Sequence, residues 1–327
     1  MVVCAVVLAA GARAQSVISA RSGVIHYVEG DVTIDGNAIH QKFAEFPDVK
    51  PGQVVATEQG RVEILLTPGV FLRLAENSSV RMLSNVLADT RLQVVSGSAL
   101  VEVGELLEGN AISFDAADAH ISLGKKGLYR IDADPASLRV FDGQARVASG
   151  TENLTAKKGH RIDLAGTTLA DTKFEVKDTD PFYRWSSRRA EYVAAANVIS
   201  ARVTSNSDLR SGFGSSRGAW SWNPYFGMYT FLPGNGVYWS PFGSPFYSPA
   251  VIGVLYMPQR RAAMMSPGFG SPMGMGGLGV GRGVGGGVGG RMMGGGGGMH
   301  GGGGMAGGTM PPGGGGGMRG GGASRGR

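Results

Sequence analysis

Between residues 23 and 164 one short pattern recurs: two runs of alternating apolar and polar residues hinged by a glycine. It reads Ile25-His-Tyr-Val-Glu-Gly-Asp-Val-Thr-Ile34, then Leu92-Gln-Val-Val-Ser-Gly-Ser-Ala-Leu-Val101, then Leu138-Arg-Val-Phe-Asp-Gly-Gln-Ala-Arg-Val147. An alternation of period two puts every second side chain on one face, so each run predicts a strand with one face on a core. The glycine predicts a tight turn. Asp142-Gly143 has the composition of a hairpin loop, because glycine tolerates positive φ. Further strands are predicted over 61–66 and 70–74, on either side of the Thr67-Pro-Gly69 turn, and over 80–83, 111–114, 119–123, 128–131 and 160–164. Turn residues return about every ten positions, which suggests a β-sandwich or a β-solenoid of short strands. The alternation selects Val32, Ile34, Ile64, Leu66, Leu72, Leu74, Val94, Leu100, Ile112, Val140 and Val147 as core.

The period changes downstream. Asp180 suits a helix cap and Pro181 the first turn, where a missing N–H costs nothing. Phe182, Trp185, Arg189, Tyr192, Val193 and Ala196 then fall at three- and four-residue spacing. They predict a helix from about residue 181 to 198, within a helical segment 176–204, with one largely apolar face to pack. Residues 205–219 are polar and rich in Gly and Ser, a linker composition. Segment 220–257 carries twelve aromatic residues broken throughout by proline and glycine. That excludes a regular helix and predicts an irregular stretch of short strands and turns, with Pro233-Gly-Asn-Gly236 as one turn. Residues 258–327 are rich in Gly, Met and Arg, and from about Ser266 onward they are mostly glycine. Such a tail has too little side-chain area to offset the entropy of ordering and is expected to be disordered.

Charge and cysteine sharpen this division into domains. The net charge of +6 is a property of the tail: the last acidic residue is Asp208, and nine arginines follow it with no lysine. The first residues are almost wholly apolar, and Ala12 and Ala14 are small residues at −3 and −1, so 1–14 reads as a signal peptide with Gln15 as the mature start. The β-domain then occupies 15–175. The only cysteine, Cys4, falls in the leader. A disulfide framework, a cysteine zinc site and a thiol nucleophile are thereby excluded from the mature chain. Neither the leader nor 251–257 is long enough to span a bilayer, so no transmembrane anchor is expected.

The residues Gly23-Val24, Val28-Glu-Gly30-Asp-Val32, Pro51-Gly-Gln-Val-Val55, Gly60-Arg-Val-Glu-Ile-Leu-Leu66, Pro68-Gly69-Val-Phe-Leu-Arg-Leu74, Asn77-Ser-Ser-Val80, Leu92-Gln-Val-Val-Ser-Gly97 and Leu138-Arg-Val-Phe-Asp-Gly143-Gln-Ala-Arg-Val147 form a hydrophobic-and-glycine rhythm. In this rhythm the block resembles the FecR domain family. Gly127-Leu-Tyr129 stands where that family often has Gly-Thr before an aromatic. Leader, β-domain, aromatic segment and Gly-rich tail together look like exported FecR-domain proteins of soil bacteria. The resemblance implies a periplasmic domain that receives a signal from an outer-membrane receptor. In iron-uptake regulators a cytoplasmic segment and a membrane helix pass that signal to a sigma factor. No such segments are read in this sequence, so an anti-sigma role is not expected.

No catalytic constellation stands out. His26, His40, His120, His160 and His300 lie far apart and form no ligand pair at metal spacing. Asp115 with Asp118 and Asp132 with Asp134 read as solvated turn residues. Gly274-Met-Gly276-Gly-Leu-Gly279 spells a dinucleotide fingerprint, but no strand precedes it and no helix follows. Met292, Met293, Met299 and His300 are soft ligands suited to Cu(I), the basis of an alternative copper-binding reading. Arginines among glycines resemble RNA-binding segments, yet export argues against nucleic acid. Trp220, Trp222, Tyr225, Tyr238 and Trp239 could form a partner surface, or pack as a small satellite on the β-domain, the reading preferred here. The expectation is a non-enzymatic exported binding or scaffold protein, periplasmic or secreted to the cell surface, with no cofactor. Its partner would be an envelope protein or, alternatively, an envelope polysaccharide.

Overall fold

The computed structural model describes residues 22–40, 42–166, 168–211 and 218–256. The expected leader, the tail and the copper candidates Met292, Met293, Met299 and His300 lie outside the described residues. The chain runs through β1 (Val24–Ile34), β2 (Asn37–Ala38), β3 (Val54–Leu65), β4 (Val70–Leu74), β5 (Ser79–Val86), β6 (Asp89–Ser96) and β7 (Ser98–Val103). There follow β8 (Ile112–Ala116), β9 (Ala119–Leu123), β10 (Gly127–Ala133), β11 (Ala136–Asp142), β12 (Gln144–Ser149), β13 (Glu152–Lys157), β14 (His160–Asp163) and β15 (Ala170–Lys173). After them come helix α1 (Pro181–Ser211), β16 (Ala219–Asn223), β17 (Met228–Leu232), β18 (Val237–Trp239), β19 (Pro245–Tyr247) and helix α2 (Pro249–Tyr256).

The all-β expectation holds. The first fifteen strands form one sheet in the order β13-β12-β9-β8-β6-β5-β3-β4-β7-β10-β11-β14-β15, with β1 on β3 and β2 on β1. Neighbours are antiparallel except β6 and β8, which run parallel. The sheet folds over on itself at its two longest strands. The start of β3 (54–56) pairs with β5, whereas its end (62–65) pairs with β4. β1 follows the same bend, slipping register between Gly30 and Val32 opposite Gly60. The halves close on one core, with Leu72, Val101, Ile131 and Val140 from one side and Val80, Leu92, Phe114, Ile121 and Val147 from the other, all buried. At the far side β13 approaches β11 and β14, so the sandwich is nearly a barrel.

The recurring glycine pattern proves to be a corner and not a hairpin. β11 pairs with β10 and β14, and β12 with β9 and β13; the two strands beside Gly143 never pair with each other. Strands β6 and β7, beside Gly97, likewise have separate partners. A two-residue hairpin loop needs both central residues to reverse the chain. Such loops occur at Asp35-Gly36, where both φ angles are positive, and between the paired residues Ala116 and Ala119. A single glycine at φ +67 or +88 redirects the chain without reversing it, and the strand passes into the other layer. Space is short there. A Cβ on Gly97 would lie 2.2 Å from Ser78 Oγ, and one on Gly143 2.4 Å from the Tyr129 hydroxyl. That hydroxyl donates to the Lys125 carbonyl (2.8 Å) and accepts the Gln144 N–H (3.1 Å), stapling the corner. Burial pushes its pKa up to about 12, so it stays a donor.

Of the eleven core positions read from alternation, ten are buried and Ile34 is half-buried. Leu100 is buried on the opposite face, under the N-terminal half of α1. Strand β4 and the end of β3 are buried on both faces, because α1 and the aromatic hairpins cover the outside of the sheet. Asp180 caps α1 as expected: its Oδ1 accepts the Tyr183 N–H at 2.8 Å. Phe182, Trp185, Arg189, Val193 and Ala196 face the sheet, whereas Tyr192 is exposed. The helix continues past residue 198 into the expected linker, to Ser211. Ala201 packs with Leu232 and Ile252, and Ser205 lies against Gly253, so packing overrides weak local propensity. Segment 220–257 is also more regular than expected. It folds as two hairpins, β16–β17 and β18–β19, and then α2, whose first turn is Pro249 after Ser248.

Alanine at the two corners is expected to cost more than alanine at an open turn. Gly97→Ala and Gly143→Ala should each lower stability by about 2–4 kcal/mol, from left-handed backbone plus overpacking. Gly36→Ala, with nothing within 4 Å of its Cβ, should lose only the backbone part, about 1–2 kcal/mol. Urea unfolding of the full chain followed by circular dichroism makes the comparison. Equal losses in all three would mean that the corners relax freely.

Candidate binding site on the aromatic face

The outer face of the sheet carries charges that its covering elements bury. His26, Glu63, Arg73 and Glu102 stand on β1, β3, β4 and β7, and all four are buried. Arg73 Nε donates to Glu63 Oε2 and its Nη1 to Glu102 Oε2, both at 2.8 Å. Arg189 of α1 reaches Glu63 Oε1 at 2.9 Å, with its guanidinium 3.9 Å from the centre of the Tyr27 ring. Glu102 Oε1 accepts the Ser240 hydroxyl (2.5 Å) and the Tyr238 hydroxyl (3.2 Å). His26 Nε2 accepts the Tyr229 N–H at 3.2 Å. Its proton therefore sits on Nδ1, which donates to Glu63 Oε1 at 2.8 Å. Two carboxylates, two guanidiniums and one neutral imidazole sum to zero charge.

The titration behaviour follows from the same geometry. Burial works to raise the Glu63 carboxyl, but Arg189, Arg73 and the His26 hydrogen bond outweigh it and hold it well below the usual range. Burial lowers His26, overcoming the bond to Glu63. Burial also lowers Arg73, yet Glu63 and Glu102 more than offset this and raise it. The Tyr238 hydroxyl is driven up by burial and then by Glu102 beside it.

Buried amides and a hydroxyl fasten the hairpins to α1. Asn197 Nδ2 donates to the Phe231 and Tyr247 carbonyls at 2.8 and 3.0 Å. Asn223 Nδ2 donates to the Ala196 carbonyl, and Thr230 Oγ1 to that of Val193. Phe231 and Phe246 are buried with Phe71 of the sheet. Of the five aromatic candidates, Trp220, Trp222 and Tyr238 are half-buried in this layer. Trp220 meets Phe71 edge-on at 5.1 Å, Trp222 meets Phe46 at 5.7 Å, and Tyr238 leans on Phe246 at 5.7 Å. The satellite packing holds for these three.

Tyr225 and Trp239 instead point to solvent, 79% and 63% exposed, and their neighbours differ. Tyr225 stands on the β16–β17 turn. There Gly227 lies against Phe43 (77% exposed), Phe43 meets Trp222 edge-on, and Phe226 meets Tyr192 of α1 at 5.2 Å. Around this turn Tyr225, Phe43 and Tyr192 are exposed while Trp222 and Phe226 are half-buried, an aromatic patch left open to solvent. Trp239 borders a cleft of about 310 Å3, with Leu128, Phe141, Tyr183 and Val176 as its apolar lining and Asp142, Lys158 and Ser240 as its polar groups.

The remaining candidates fall elsewhere. His120 and His160 are paired on the surface with Asp115 and Asp171, each at 2.7 Å, and His40 is exposed. Among the described residues no group of three His, Cys, Asp or Glu is placed to hold a metal ion. Asp132 is not a solvated turn residue. It lies on β10 and accepts from Ser98, Arg130 and Arg139, while Arg130 also pairs with the cap residue Asp180. Alternation had hidden Glu63, Arg73 and Glu102 as solvent-facing positions. The apolar residues of like parity beside them, Leu65, Phe71 and Leu100, are the signal that this face is covered.

Removing the central carboxylate should be costly. Glu63→Gln leaves two buried guanidiniums short of charge and is expected to destabilise by about 3–5 kcal/mol in urea unfolding near neutral pH. Acid should do the same in two stages. His26 and Glu63 are both lowered by folding, so their contributions are complete above the unfolded values of 6.5 and 4.5 and shrink as pH falls below each. Unfolding midpoints measured from pH 8 downward should decline from about 6.5 and more steeply below about 4.5. His26→Gln should flatten the first decline and keep the second. A wild-type profile flat to pH 5 would contradict the assigned role of His26.

Among the described residues no helix is long and apolar enough to cross a membrane. No protein-family model matches the chain, and no curated protein matches it. Two crystal structures of a proposed anti-sigma factor from Parabacteroides distasonis, at 2.50 and 1.65 Å resolution, are similar to part of it. Both alignments have a TM-score of 0.34, with sequence identities of 14% and 12%, and each covers 38% of this chain and 61% of the other.

Proposed function

We propose that this protein is a non-enzymatic, exported FecR-like module that acts as a binding or scaffold protein of the cell envelope, in the periplasm or at the cell surface. It receives its partner, and with it any signal, through protein–protein contact at the aromatic patch around Tyr225. One observation carries this reading. Most rings of the segment are buried or half-buried, yet Tyr225 stands in solvent on the β16–β17 turn, whose Gly227 lies against exposed Phe43 and whose Phe226 meets exposed Tyr192. Covering one large apolar side chain contributes about 1.5–3 kcal/mol, so rings left uncovered around one turn favour a cover. The patch sits on a turn and a helix clamped to the sheet, so little ordering is needed on binding. Export is supported by the apolar leader with small Ala12 and Ala14 before Gln15.

Two measurements test this. Mass spectrometry of the chain recovered from an envelope fraction should find Gln15 at the mature N-terminus. Intact chain confined to the cytoplasm would defeat the export claim. A photo-crosslinking residue at position 225 should trap a defined envelope protein in living cells, and the adduct should vanish with Phe43→Ser. A crosslinker at the exposed Val86 position serves as control. The same adducts from both positions would remove the patch as the contact site.

A further inference from the structure

The cleft beside Trp239 belongs to a different surface and supports an inference independent of the protein contact. We propose that it is a binding site for a neutral glycan, one sugar ring lying on the Trp239 indole with Asp142 and Lys158 at its hydroxyl groups. The indole is a flat apolar plate at the edge of a hollow and is 63% exposed. The C–H face of a pyranose matches such a plate, while its rim of hydroxyls needs donors and acceptors beside it. Asp142 supplies acceptors and Lys158 donors. The two are paired at 3.1 Å, with side chains 44% and 61% exposed, so they stay hydrated and ready to exchange water for hydroxyls.

The floor is built before any ligand arrives. Phe141 and Tyr183 lie 5.2 Å apart, braced by Phe174 against Phe141 and Phe242 against Tyr183. The Ser240 hydroxyl is spent on buried Glu102, which fixes the wall next to Trp239. A cavity of about 310 Å3 is at the small end for ligand sites and suits one ring at a time. Its exposed border of Trp239, Asp142 and Lys158 lets a chain continue outward. Charge selects the class. The Asp142–Lys158 pair sums to zero, so an acidic sugar meets a cation that is already neutralised and a carboxylate beside it. An alkyl chain would strip water from the ion pair with no hydrogen bonds in return.

The test titrates the full chain with chitohexaose, cellohexaose, maltohexaose and xylohexaose. Hexagalacturonate and dodecanoate are the competing classes, with heat and tryptophan fluorescence as readouts. At least one neutral hexaose should bind saturably with a dissociation constant of about 1 mM or tighter. Trp239→Ala and Asp142→Asn should each weaken it tenfold or more while leaving the melting curve unchanged, since Trp239 is exposed and Asp142→Asn keeps its shape. Tyr225→Ala, on the protein-contact patch, should leave glycan affinity as it was, so failure of one site is told apart from failure of the other. The proposal is overturned if no neutral hexaose binds, if binding is indifferent to Trp239→Ala, or if hexagalacturonate or dodecanoate binds more tightly.

Discussion

The outer face of the sheet cannot face water, and it cannot be covered by apolar groups alone. It presents Leu65, Phe71 and Leu100 beside Glu63, Arg73 and Glu102. Any cover must exclude water from the first set and satisfy the charges of the second. Helix α1 and the two aromatic hairpins do both. They bring Val193, Phe231 and Phe246 to the apolar part, and Arg189, Tyr238, Ser240 and the Tyr229 N–H to the charged part. A buried charge with no partner costs several kcal/mol, so the cover docks in one register. Arg73 Nη2 and Arg189 Nε are left without hydrogen-bond partners in this arrangement.

The sandwich makes that face possible. Its strands change layer at single glycines, so short strands serve both halves without long connections. The bend of β1 and β3 at Gly30 and Gly60 is the same device in its widest form, with the two backbones so close that a Cβ on Gly60 would lie 2.5 Å from Asp31 N. Strands β4, β7, β10 and β11 are neighbours in one layer, and their outer face takes the first turns of α1, whose later turns pack on the aromatic hairpins and α2.

Function, as proposed, sits where the cover ends. Side chains needed for docking are buried: Phe231, Phe246 and Met228. Rings left over stand at the two hairpin extremities, Tyr225 on one and Trp239 on the other, each beside groups supplied by other parts of the chain. Phe43 and Tyr192 join the first, and Asp142, Lys158 and Tyr183 the second. The segments are fixed by Asn197, Asn223 and Thr230, so both surfaces rest on a rigid base.

Alternation in the sequence was enough to identify the β class, most strand positions and nine of eleven residues of the sandwich interior, because that interior is a two-sided apolar layer that reads directly as period two; Leu100 is buried too, but on the other face. The Asp180 cap and the start of α1 were legible for the same local reason. Local signals could not tell a corner from a hairpin at Gly143, since glycine permits both and only strand pairing decides. Nor could they extend α1 beyond residue 198, where contact with α2 outweighs propensity. The charged cluster was invisible as such: Glu63, Arg73 and Glu102 each look solvent-facing within their own strand. Only the fold brings a histidine from β1 and an arginine from α1 onto the same carboxylate, 37 and 126 residues away in the chain. Five aromatic residues read as one set were sorted by tertiary packing into three that support the cover and two that face outward, because burial is a property of the neighbours and not of the residue type.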